Sequence, residues 1–182
     1  MRGAGFSLLE MVIVLSIVGL ITGVILVRYN QSSSQTVLSN LAYDIALTIR
    51  QAQVFGIAVR EADTGTGQFP VYGVHLGTPP ITSMILFADY DQDGVYDGPL
   101  ENVKVYNFSA GYAISAMCGT YTLDCQTLTN LDIGFVRPQP EAILRGTPGL
   151  SGPYTSATLT VSNPHGAGKI INVYANGQIS VP

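Results

Sequence analysis

The chain has 182 residues, a net charge of −4 and only 11% charged residues, against about a quarter in a typical soluble protein. That length holds one ordinary domain with a real core and leaves residues over for another task. The eight Lys and Arg are scattered singly, so no basic stripe exists to neutralise phosphates, which argues against nucleic acid as a partner.

The first element is apolar. Residues 11–27 are seventeen in a row without a charge, bounded by Glu10 and Arg28, and counting from Phe6 gives twenty-two. As a helix this run is roughly 26–33 Å long, the thickness of a bilayer's hydrocarbon core. A cleaved secretory signal has a shorter apolar stretch and a small-residue site after it, and "VILVRYNQ" offers none, so the segment is expected to stay with the mature chain. Glu10 is the anomaly, since a carboxylate held in hydrocarbon costs about 2.5–3.5 kcal/mol even on lenient insertion scales.

The residues around it, "RGAGFSLLE", resemble the class III signal of type IV prepilins and of the pseudopilins of type II secretion. A short hydrophilic leader ends in Gly5, Phe6 follows, and Glu10 lies inside the apolar run. The resemblance implies that a membrane prepilin peptidase cuts between Gly5 and Phe6 on the cytoplasmic side and N-methylates Phe6. The new ammonium of one subunit would pair with Glu10 of a neighbour, two charges that are each costly in lipid being tolerated together. Snorkelling of Glu10 to the headgroups is the plainer alternative. Major pilins of this family often carry a proline part-way along the helix. This stretch has Gly19 and Gly23 instead, a small-residue face, which leans toward a minor subunit or pseudopilin.

After "RYNQSSSQ", apolar residues recur at Val37, Leu41, Ile45, Ile49 and Ala52, close to one helical face, with polar residues such as Asp44 and Gln51 between them. Residues 32–34 either cap a new helix or ride within a continuous one. The segment "LAYDIALTIRQAQVFGIAVRE" resembles the H-type minor pseudopilins and related minor type IV pilins. That similarity covers residues 5–60 and implies one long helix whose second half packs on a sheet.

Beyond Arg60 the pattern changes to short alternating runs separated by Gly, Pro and Asn, rich in Ser, Thr and Tyr. Strands are expected at 71–76, 83–88, 103–108, 112–117, 131–136, 157–162, 169–174 and 178–181. The last two flank "ANGQ", a hairpin signal. The proline- and glycine-rich run 137–153 reads as a long surface loop available for subunit contacts. The fold class expected is α+β: a pilin-like long helix packed on an antiparallel β domain. Its segments are a leader at 1–5, a transmembrane assembly helix at 6–27, an amphipathic continuation at 28–60 and a globular β-rich domain at 61–182.

Two local features carry chemistry. In "DYDQDGVYD", Asp89, Asp91 and Asp93 alternate, Gly94 permits a sharp turn, the Val95 carbonyl follows, and Asp97 comes next. This is the first half of a calcium loop, with ligands at positions 1, 3, 5, 7 and 9. Position 12, ordinarily a bidentate glutamate, is Leu100, and Glu101 comes one residue late. A structural Ca²⁺ is expected over an acidic hairpin tip whose carboxylates are merely solvated. Magnesium fits poorly because it tolerates less irregular geometry. Cys118 and Cys125 lack the two-residue spacing of zinc or redox pairs. They either form a small disulfide loop, favoured outside the cytoplasm, or remain free.

No nucleophile motif, phosphate-cradling loop or nucleotide fingerprint occurs, and the two histidines, His75 and His165, stand alone, so no enzyme is expected. The reading that follows from the resemblance is a structural subunit of a type IV pilus-like filament. It would be a single-pass inner-membrane protein with an extracytoplasmic C-terminal domain. Its partners would be other pilin or pseudopilin subunits, prepilin peptidase and the inner-membrane assembly platform. A pilus-associated adhesin or DNA-uptake minor pilin, or a simple membrane-anchored domain, are the competing readings.

Overall fold

The computed structural model describes residues 7–58, 70–122, 124–148 and 153–182, with backbone only at 27–32. Gly5 and Phe6 lie outside the described residues. One helix, α1, runs Leu8–Ile57 without a break, so residues 32–34 ride within it. The chain divides into two compact units, Met1–Val37 and Leu38–Pro182.

In the first unit every residue from 7 to 26 is exposed, although nearly all are Leu, Ile, Val or another apolar type. The run Leu8–Leu26 is 19 residues with a mean hydropathy of 2.6, long and apolar enough to cross a membrane. Within it the Ser16 hydroxyl donates to the Val12 carbonyl at 2.8 Å and so needs no outside partner.

The second unit is α+β. Residues 38–57 of α1 bury Leu38, Ala42, Ile45, Ile49 and Ala52. The stripe therefore starts one residue later than the spacing suggests, with Val37 and Leu41 only half-buried. Ala42 contributes little hydrophobicity to a pattern, yet its small side chain permits close packing. Two five-stranded antiparallel sheets complete the unit. The first contains β1 (Val71–Leu76), β2 (Ser83–Asp89), β3 (Asn102–Asn107), β6 (Asn130–Phe135) and β7 (Ala142–Thr147), in the order β3-β2-β1-β6-β7. The second contains β4 (Ala113–Thr120), β5 (Cys125–Thr127), β8 (Ser156–Ser162), β9 (Gly168–Tyr174) and β10 (Ile179–Ser180), in the order β10-β9-β8-β4-β5.

Strand alternation decides which side chains meet the helix. On β1, Tyr72, Val74 and Leu76 are buried, and the Phe55 ring of α1 meets Tyr72 edge-on at 5.5 Å. Gly56 lies so close to β6 that a Cβ there would stand 2.5 Å from the Phe135 carbonyl oxygen. Buried Gln53 donates to the carbonyls of Pro140 and Gly177, at 2.7 and 3.2 Å, and its oxygen accepts from Arg50. One side chain thus ties the helix end to the approach to β7 and to the β9–β10 hairpin, with its buried amide satisfied.

Two expectations need correction. The segment 137–153 is not a loop throughout: Ala142–Thr147 forms β7, paired residue for residue with β6. The prolines and glycines on both sides masked a six-residue run that buries Ala142 and Leu144. The short strand β5 was also not anticipated. It pairs with β4, and Cys118 and Cys125 form a disulfide within that hairpin, their Cα atoms 5.6 Å apart.

Candidate functional site

Two features hold the chemistry, one in each unit. In the first, Glu10 occupies the opening turn of α1, exposed on a helix with no other charge as far as Leu26. A carboxylate there is favoured by the unpaired N–H groups at the helix N-terminus. Gly19 and Gly23 both face open space, so a second helix could approach closely there.

The second feature is the turn between β2 and β3. Asp89 closes β2 and is fully buried. Its two carboxylate oxygens accept N–H bonds from Gln92 at 2.6 Å and Gly94 at 2.7 Å. Both donors sit at positive φ, 66° and 80°, a fold of the chain that Gly94 adopts without a steric cost. Asp93 accepts the Val95 N–H at 2.8 Å, so Val95 enters the loop through its nitrogen, while its carbonyl is the atom the sequence assigns.

A 3₁₀ turn, Pro99–Glu101, leads into β3. It turns Leu100 outward, 94% exposed, and Glu101 inward, 7% exposed, where Glu101 accepts the Asp97 N–H at 2.9 Å. The carboxylates gather in two groups, Asp89 with Asp91 and Glu101, and Asp91 with Asp93 and Asp97. Within each group one oxygen per residue lies within 4.8 Å of the others, a spacing that could hold a metal ion. Asp91 belongs to both. Glu101 is the member that counting along the sequence sets aside; its burial and its bond to Asp97 bring it back.

The electrostatics follow from this crowding. Burial, opposed by the N–H bonds from Gly94 and Gln92 and reinforced by Asp91, pushes Asp89 up to about 6. Burial likewise raises Glu101, and the charge of Asp93 raises exposed Asp97. Asp89, Asp97 and Glu101 are thus held above the ordinary carboxylate range, a condition that a bound cation relieves.

The loop also covers the outer face of the first sheet. Tyr96 lies over the His75 ring at 4.5 Å and meets Phe87 edge-on at 5.6 Å. Gly73 makes room for that Phe87 ring, which a Cβ would approach to 2.6 Å. Register places Ile85, His75, Asp132 and Arg145 in one row across β2, β1, β6 and β7. His75 Nδ1 and Asp132 Oδ1 are 2.6 Å apart. Periodicity alone could not show this stacking, because it depends on a loop folding back over a sheet.

Comparison with known proteins finds no matching family model, no matching curated protein and no matching solved structure.

A pH dependence follows. The folded-state pKa of Asp89, about 6, lies above its ordinary 3.8, so the folded chain holds this proton more tightly than the unfolded chain. Its stabilising contribution is full below about pH 4 and lost as pH rises through 6. In chelator, thermal unfolding between pH 4 and 7 should show Tm falling with pH at this turn's expense. Asp89→Asn should flatten that slope by a few degrees. An unchanged slope in the variant contradicts the assignment.

Proposed function

We propose that this chain is a structural subunit of a type IV pilus-like filament, a minor pseudopilin of type II secretion or a minor pilin. In this reading residues 6–27 hold it in the inner membrane as a single pass. The globular part lies outside the cytoplasm, and prepilin peptidase removes the leader 1–5 and methylates Phe6. The observation that carries the reading is Glu10 in the first turn of an apolar helix that is exposed among the described residues, four residues after a Gly-Phe junction in the sequence.

The mechanism is electrostatic selection within a hydrophobic contact. Lateral packing of apolar helices in lipid gains little from the hydrophobic effect, so shape and the few polar groups decide register. An unpaired Glu10 carboxylate is costly at depth, and so is a lone ammonium on Phe6. An axial stagger that joins Glu10 of one copy to Phe6 of the next removes both costs. The partners are other subunits through this helix and the assembly platform that extracts them. The second unit, a helix half packed on antiparallel sheets, has the arrangement a pilin-like head would need, and it is proposed to be non-catalytic.

Co-expression with a prepilin peptidase followed by intact-mass measurement should show loss of residues 1–5 and a gain of one methyl group. A chain that still begins with Met1 contradicts the processing.

The acidic turn is proposed to hold a structural Ca²⁺. Irregular oxygen geometry, two carboxylate groups sharing Asp91 and a loop of mixed turns suit calcium's flexible coordination better than magnesium's octahedron. Calorimetry with CaCl₂ should give a dissociation constant of about 10⁻⁴–10⁻³ M, the range of extracellular modules. Asp91→Asn should abolish binding, and Glu101→Gln should weaken it about tenfold or more. Binding that ignores both substitutions contradicts the site.

A further inference from the structure

A small cavity opens on the first sheet where β1 turns into β2. It has a volume of about 260 Å³ and is lined by His75, Gly77, Thr78, Thr82, Ser83 and Ile85 among others. His75 is held there by Asp132, which is itself almost fully buried on β6. Asp132 Oδ1 lies 2.6 Å from Nδ1 and so occupies that ring nitrogen. The other ring nitrogen, Nε2, lies toward the cavity wall, 4.0 Å from where a Cβ on Gly77 would stand. The Tyr96 ring lies against the imidazole from the loop, with centroids 4.5 Å apart and planes tilted by 32°. The result is one oriented ring nitrogen, positioned by a buried acid and braced by an aromatic ring.

The remaining lining narrows the ligand. The Thr78, Thr82 and Ser83 side chains make no hydrogen bond to the described residues, so three rotatable hydroxyls stand available. Neither Lys nor Arg lines the cavity, which disfavours an anion. No carboxylate lines it either, which disfavours an organic cation, and one imidazole nitrogen is too few ligands for a metal. Ile85 adds an apolar wall against which C–H groups can rest. The volume falls just under the range of about 300–1,000 Å³ typical of drug-sized sites.

We propose that this cavity binds one residue of a neutral saccharide, a ligand hydroxyl bonding His75 Nε2 and others bonding Ser83 and the threonines. This goes beyond the filament reading and stands independently of it. It would give the head of the molecule a recognition surface apart from both the apolar helix and the carboxylate clusters.

The test is an NMR titration of the ¹⁵N-labelled full chain in a phosphocholine detergent, whose headgroup is not a sugar. The probes are glucose, galactose, mannose and N-acetylglucosamine, with acetate as an anionic control. At least one sugar should cause saturable amide shifts confined to residues 75–85 and should move the His75 Nε2 resonance. Ser83→Ala, which removes one hydroxyl from a half-buried surface position, should weaken that sugar about fivefold. Thr82→Val, which swaps a second hydroxyl for a methyl at an exposed position, should weaken it likewise while amide dispersion elsewhere stays. The proposal is overturned if no sugar shifts these residues, if acetate shifts them instead, or if both variants bind as the parent does.

Discussion

Nineteen consecutive residues, Leu8–Leu26, form an apolar helix surface that is exposed among the described residues. The hydrophobic effect disfavours leaving such a surface in water, and in the proposed reading its complement is lipid, other helices or both. Everything peculiar about the N-terminus follows from that requirement. A helix this apolar has few polar groups with which to choose a neighbour or an axial offset. Glu10 is the strongest one available, and Gly19 and Gly23 supply a surface on which another backbone can approach. In the proposed filament, hydrocarbon supplies the medium and a single charge supplies the register.

The second unit is built to different rules, with its own core and satisfied polar groups. Leu38, Ala42, Ile45, Ile49 and Ala52 close the helix half onto the sheets, and Gly56 sets how near the last turn comes to Phe135. Gln53 draws the ends of both sheets to one amide. On the far side of the first sheet the acidic turn acts as a cover. It brings Tyr96 down on His75 and Phe87, and it holds carboxylates closer together than they would settle unaided. The same turn therefore serves packing and carries the cluster. A cation that relieved its repulsion would also firm the cover over His75.

Much of this was legible in the residues, and unevenly so. The strand 71–76 matches β1 to the residue because alternation and flanking turn residues agree there. The acidic turn was legible in composition and only partly in geometry. A spacing template built for a helix-loop-helix site puts the last ligand at Leu100, whereas a 3₁₀ turn here presents Glu101. β7 was hidden because Pro138, Pro140 and Pro148 on its flanks and Gly146 within it all read as loop in a strand that a neighbour completes. The His75–Asp132–Tyr96 arrangement left no local trace at all. Its members lie on β1, on β6 and in a loop, and only the sheet register joins them.

The central claim is that Glu10 matters to assembly and not to membrane insertion. The most direct measurement is incorporation of Glu10→Gln, which keeps the side chain's size and removes its charge, into filaments in a host carrying the assembly machinery. Membrane fractionation and filament shearing, followed by immunoblotting of each fraction, separate the two steps. The account expects the variant to reach the membrane at the parent's level and to be depleted from sheared filaments by about tenfold or more, a loss of roughly 1.4 kcal/mol in pairing. Equal incorporation of variant and parent would contradict it.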